Sequence, residues 1–167
     1  ADVLDRNLSA LHNAPSGSGC MEWADGSSYD GQWLSGQRHG VGTMRKVVEA
    51  PEVFEGQGEE VYWGEWQSDL HHGSGTHVLP QDTSSYTGCW QGGKRHGQGT
   101  YKREHPFAVS YCGSWDNGLR SGSALSVNSV GDQYQGQFEN NLKWGRGTMI
   151  YKSEKFNYEG QFAHNYR

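Results

Sequence analysis

The sequence predicts an all-β fold: a single-layer antiparallel sheet of tandem β-hairpins, curved into a half-pipe. Three observations predict it. Tyr, Gly and an aromatic ring recur at positions i, i+2 and i+4 in six copies, starting at Tyr29, Tyr62, Tyr86, Tyr111, Tyr134 and Tyr158. Eleven residues after each Tyr, every complete copy has another glycine: Gly40, Gly73, Gly97, Gly122 and Gly145. The composition excludes a thick core, because only 33% of the 167 residues are hydrophobic and 25 are glycine, roughly twice the usual share of about 7%. The even spread of 7 Trp, 9 Tyr and 5 Phe argues against disorder, since disordered segments are poor in aromatics.

In an extended chain, residues i, i+2 and i+4 share one face. YDGQW from Tyr29 and its equivalents therefore read as strands of about five residues. Seven residues after each Tyr stand Gly36, Asp69, Gly93, Gly118, Asn141 and Asn165, the residue types that best tolerate a left-handed backbone. These mark a tight reversal. The second strand is expected to begin at the HGxGT segment and to run through stretches such as Thr100–Lys102, whose Thr and aromatic residues suit a half-buried strand. A short connection then leads to the next hairpin. In a single layer the rings must lie over neighbouring backbone, and glycine provides the bare floor for them. Each hairpin is then stabilised by its neighbours, as in a quasi-one-dimensional array.

Four of the five intervals between copies are 23 to 25 residues; the interval from Tyr29 to Tyr62 is 33. The excess lies in an acidic insertion, residues 49–60, which reads either as a solvated loop or as a segment whose Val53 and Phe54 dock a partner or fold over the groove. Residues 1–16 read as an N-terminal segment or degenerate capping repeat, and residues 17–167 as the array. Gly17, Ser18 and Gly19 fit the tail of a preceding copy.

Six copies of Y-x-G-x-W/F, most continuing into x-x-G-x-x-H-G-x-G, closely resemble MORN repeats (membrane occupation and recognition nexus). The resemblance covers about Gly17 to Arg167. It implies an elongated, grooved MORN-type solenoid used as a non-enzymatic scaffold in the cytoplasm, at cell cortex, cytoskeleton or cilium, or as a targeting module in some lipid kinases, exchange factors and junctional membrane proteins. Copy four departs from the motif at Ser121 and Ala124 and copy five at Trp144, so local distortion or specialisation is expected there.

No stretch approaches the roughly 18 to 20 apolar residues of a membrane span, and the net charge of −5 argues against general nucleic-acid affinity. Cys20, Cys89 and Cys112 fall in three registers and read as free thiols. His39, His72 and His96 come once per hairpin, about 10 Å apart, too far for one zinc whose ligands lie within about 2.1 Å; they read as turn structure. His71 beside His72 leaves only an intermolecular metal contact open. There is no nucleophile elbow, Walker loop or paired C-x-x-C, so neither an enzyme nor a cofactor is expected.

Nine residues after each Tyr stand Arg38, His71, Arg95, Arg120, Lys143 and Arg167. One basic or titratable group per hairpin forms a ladder, either as solvated charges that keep sheet edges apart or as a basic rim for an extended anionic partner. The expected partner-binding trough comprises Tyr62, Trp66, Tyr86, Trp90, Tyr111 and Trp115, with Arg38, Arg95, Arg120 and Lys143 as its rim. A protein partner (an extended peptide, a helix or a cytoskeletal protein) or a second copy is expected, with anionic phospholipid as the alternative. Five rungs at roughly 1 kcal/mol each near an anionic leaflet make lipid binding weak.

Overall fold

Strand follows strand through the chain with two-residue reversals at the expected places. The computed structural model describes residues 16–49, 57–154 and 156–167. It contains β1 (Gly17–Glu22), β2 (Ser28–Leu34), β3 (Gln37–Glu49), β4 (Gln57–Gln67), β5 (Leu70–Leu79), β6 (Ser84–Gln91), β7 (Lys94–Arg103), β8 (Val109–Asp116), β9 (Leu119–Val127), β10 (Gln133–Glu139), β11 (Leu142–Ile150) and β12 (Asn157–Phe162). All twelve pair in sequence order in one sheet, and each pairing is antiparallel. The Tyr-Gly-aromatic motif lies on the even-numbered strands β2 to β12. β1 takes the place of the second strand of a preceding copy, with Gly19 opposite Gly31 and Met21 opposite Tyr29.

The expected half-pipe does not form. Among the described residues the sheet is open, with β1 and β12 as its outermost strands, and is neither closed nor strongly curled. The physical reason is the ring layer. Tyr29, Tyr62, Tyr86, Tyr111 and Tyr134 are wholly buried on one face, and a sheet that carries so thick a layer on one side cannot curl tightly towards it.

The two-residue turns have both central residues in the left-handed region, for example Asn140 (φ 49°) with Asn141 (φ 70°), and Ser68 (φ 49°) with Asp69 (φ 66°). That is the type I′ reversal, whose twist matches that of the flanking strands. The second strand starts directly after the turn, at Gln37 or Lys94, two residues before the HGxGT segment. Within each complete hairpin the register then slips next to the motif glycine, as between Gly31 and Gln32. The glycine eleven residues after Tyr supplies that bulge: Gly40 has φ 60°, and a Cβ there would collide with the Gln32 side chain. The amide that follows the bulge is captured by the side chain opposite. Val41 N–H donates to Gln32 Oε1 at 2.8 Å and Ser74 N–H to Glu65 Oε1 at 2.7 Å.

A row of one small residue per strand crosses all twelve strands: Gly19, Gly31, Gly42, Gly64, Gly75, Gly88, Gly99, Gly113, Ala124, Gly136, Gly147 and Gly160, each opposite the next. This is the floor for the rings. A Cβ on Gly42 would overlap the Tyr29 ring, and one on Gly99 the Tyr86 ring. Copy four keeps the same pairing and bulge although Ala124 replaces glycine, so its expected distortion does not extend to register. In the insertion, Gln57–Glu60 belong to β4 and pair with β3 as far as Glu49 opposite Gln57. Val53 and Phe54 lie outside the described residues.

Candidate functional site: the ring face and its cationic cover

The rings form one edge-to-face chain along the ribbon. Tyr29 meets Trp33 of its own hairpin at 5.0 Å and Trp66 of the next at 5.4 Å; Tyr62 meets Trp66 and Trp90 at 4.9 and 5.5 Å; Tyr86 meets Trp90 and Trp115 at 5.0 and 5.3 Å. The pattern continues through Tyr111, Phe138, Tyr134 and Phe162 to Tyr158. Such contacts add about 0.5–1.5 kcal/mol each beyond area burial. Polar tips are satisfied by backbone. Tyr86 and Tyr111 hydroxyls donate to the carbonyls of Cys89 and Ser114 at 3.0 and 2.7 Å, and Trp66 Nε1–H donates to Gly42 at 3.0 Å. Burial holds the Tyr86 and Tyr111 hydroxyls up at about 12.

The residues nine after Tyr do not stand beside this layer. They lie on it. Arg38 sits 4.5 Å over Trp66, Arg95 5.0 Å over Tyr86 and 5.2 Å over Trp115, Arg120 5.3 Å over Phe138, and Lys143 4.9 Å over Tyr134. In copy two His71 stacks flat on Tyr62, 3.6 Å between centroids at 6°. In the cationic rungs the charged head itself lies over the ring face, a cation–π contact, and is half-buried there. Consequently the expected trough residues are covered: Trp66, Trp90 and Trp115 are 4–6% exposed, and Tyr62, Tyr86 and Tyr111 at most 2%.

The turn tips lock this cover in place. Asp69 N–H donates to the Arg38 carbonyl at 3.0 Å, and the same bond recurs from Gly93 to His71, Gly118 to Arg95, Asn141 to Arg120 and Asn165 to Lys143. Where the tip residue has a side chain, it answers: Arg38 N–H donates to Asp69 Oδ1, Arg120 N–H to Asn141 Oδ1 and Lys143 N–H to Asn165 Oδ1, all at 2.9 Å. The sequence shows the tip residues but not this second use of them.

Charge divides the face in two. Arg38 Nε bonds the Asp69 carboxylate at 2.9 Å. Arg120 Nε meets the same atom of Asn141, Oδ1, at 3.4 Å, where the partner is neutral. Burial, reinforced by the charges of His77, Arg38 and Lys46, lowers His71 to about 3, so it is uncharged at neutral pH. Over copies three to five there is an open cavity of about 630 Å³ walled by Arg95, Arg103, Arg120 and Lys143, with Asp132 as its acidic residue. Asp132 is occupied with backbone and amide, accepting from Lys152 N–H at 3.0 Å and from Asn128 Nδ2 at 3.2 Å. The corresponding space over copies one and two is about 200 Å³ and contains Glu60 and Asp69 as well as Arg38 and Lys46.

Repeat geometry of this kind meets its counterpart among known families: the MORN repeat matches at residues 11–28, 29–47, 62–83, 86–104, 111–126 and 134–154. The chain belongs to the MORN-repeat family. It is a non-catalytic MORN-repeat scaffold with a repeat surface suited to protein interaction. Among curated proteins it is similar to alsin of rat, human and mouse, at 26% identity over 123 residues, or 74% of this chain and 6% of alsin. The chain thus spans about 6% of the length of the curated relatives it matches.

The other candidates in this MORN array are dispersed. His39, His72 and His96 lie on successive odd-numbered strands, past the turns, and among the described residues no group of three or more His, Cys, Asp or Glu could hold a metal. His77 instead pairs with Glu60 at 2.8 Å and His96 with Asp116 at 3.5 Å. Cys20, Cys89 and Cys112 are exposed and free. Trp144 is 40% exposed, set edge-on to His164 at 5.1 Å. Among the described residues no helix is long and apolar enough to cross a membrane.

Proposed function

We propose that this array docks a protein partner on its ring face, as a scaffold in the cytoplasm at cytoskeleton, cilium or cell cortex. The layer of Tyr62, Trp66, Tyr86, Trp90, Tyr111 and Trp115 acts as a rigid floor, and Arg38, Arg95, Arg120 and Lys143 make the contacts. The observation that carries this reading is the open cavity over copies three to five, walled by cations on an already ordered surface. Ordered side chains lose little freedom on binding. The match to the MORN repeat at residues 11–28 supports reading the start of the chain as a degenerate capping repeat.

A photo-crosslinking residue tests the reading in cells. Placed at Ser126, in the cavity wall, it is expected to capture protein; placed at its neighbour Leu125, which points to the other face and is 44% exposed, it is not. Charge reversal at Arg95, Arg120 and Lys143 together is expected to abolish capture at Ser126. Equal capture at both positions, or capture indifferent to the reversal, contradicts it.

The same cations support a second reading, targeting of a larger membrane-associated enzyme to anionic phospholipid. At about 1 kcal/mol per basic residue the contribution is small, and the net charge of −5 opposes it. Vesicle co-sedimentation at low and physiological salt separates the two.

A further inference from the structure

We propose that the groove over copies three to five recognises an acidic peptide in the polyproline II conformation, with a carboxylate at every third residue. This rests on the ring-face reading above and specifies its partner. Arg95, Arg120 and Lys143 occupy equivalent positions on β7, β9 and β11, two strands apart, so the rungs repeat at about 9.6 Å. Polyproline II advances about 3.1 Å per residue with three residues per turn, which places residues i, i+3 and i+6 on one side at about 9.3 Å intervals. The two periods agree within the reach of a flexible cationic side chain. An extended strand alternates faces at every residue, so its residues i and i+3 point to opposite sides; a helix requires seven residues to span about 10.5 Å and drifts out of line.

The chemistry selects carboxylate. Arg120 and Lys143 have no ion pair among the described residues, and burial lowers both below their usual values. Arg103 Nε, in the same wall, is buried without a hydrogen-bond partner. Half-buried cations of this kind gain from an anion that replaces lost solvation. The cations are already held on the ring layer, so a pre-ordered polyproline II peptide meets a pre-ordered surface and little freedom is lost on binding. Asp69 shows the fit within the molecule itself: its carboxylate sits on Arg38 in the place where Arg120 has a neutral amide.

The test uses two synthetic nine-residue peptides of Glu and Pro with three glutamates each, at positions 1, 4 and 7 or at 1, 3 and 5, read by fluorescence anisotropy at low and physiological salt. The first aligns three carboxylates with the rungs and the second only one, so the first is expected to bind the full chain at least about tenfold more tightly and to weaken with salt. Asn141→Asp, which keeps every ring contact and puts a carboxylate on Arg120, is expected to lower that affinity about tenfold with an unchanged circular dichroism spectrum. Equal affinity for the two peptides overturns the third-residue register and leaves the ring-face reading standing. No binding of either peptide, with or without binding to phosphatidylserine vesicles, overturns the acidic-peptide inference, whereas the Ser126 crosslinking decides the broader reading on its own.

Discussion

Arg38 and His71, the first two rungs of the ladder, share their frame with Arg120 and Lys143 but differ from them in charge: Arg38 is paired with a carboxylate and His71 is neutral. Arg38 and Arg120 each lie on a ring and reach the same two oxygens of the next turn tip, the side-chain Oδ1 and the main-chain carbonyl. One tip is Asp69 and the other Asn141, so one guanidinium is neutralised and the other is not. His71 removes a second charge without disturbing the stack on Tyr62. Ring layer, glycine floor and turn clasp are common to both, while one atom at a turn tip decides whether the guanidinium over the rings meets a carboxylate or a neutral amide.

If the frame is shared, equivalent rings in the two halves must matter equally. Tyr62→Ala and Tyr111→Ala are each expected to cost about 3–5 kcal/mol, the usual range for a buried aromatic, in chemical denaturation of the full chain. A difference of several kcal/mol between them would break the comparison at its base.

A pH series sharpens it. His71 titrates at about 3 in the folded chain and near 6.5 in an unfolded one, so its folded value is depressed and the unfolded state takes up the proton first. Its contribution to stability is therefore complete above about pH 6.5 and is lost as pH falls towards 3. In His71→Arg, which restores the rung found in other copies, that component is absent. The stability difference between the two proteins is expected to move in favour of the variant on acidification; parallel curves would contradict the assignment.

Smaller effects belong to the clasp. Asn165→Gly removes the bond to Lys143 N–H, and Asn141→Gly the bond to Arg120 N–H; each is expected to cost about 1 kcal/mol, read as a shift in denaturation midpoint. Asp69→Asn is expected to change stability by less than about 1 kcal/mol, as for a partly exposed ion pair, while giving copies one and two a charged rung. Equal peptide affinity in Asp69→Asn and the parent chain would show that the pairing does not govern binding.

Much of the frame was legible in the sequence because it repeats. The Tyr-Gly-aromatic register on one face, the reversals at Gly36 to Asn165 and the glycine floor all follow from residue spacing and backbone preference. Curvature did not follow, because it depends on the thickness of the ring layer, which spacing cannot show. Nor did the bulge: Gly40 and its equivalents were visible as invariant within the chain, but their purpose depends on Gln32 or Glu65 on the opposite strand. The ladder was visible as a rim and not as a cover, since its folding over the rings is a tertiary choice between solvation and cation–π contact. Neutralisation of Arg38 by Asp69, 31 residues away, was hidden because the same tip position also accepts Gly and Asn for their backbone alone.

The most direct test of the central claim is the response of the four indole N–H signals of Trp33, Trp66, Trp90 and Trp115 to the peptide with glutamate at positions 1, 4 and 7, followed by nuclear magnetic resonance. Trp115 lies under Arg95 and Trp66 under the neutralised Arg38. In the parent chain Trp115 is expected to shift and Trp66 not to, and in Asp69→Asn Trp66 is expected to shift as well. Uniform shifts in both halves, or a Trp66 response indifferent to Asp69→Asn, would contradict that claim.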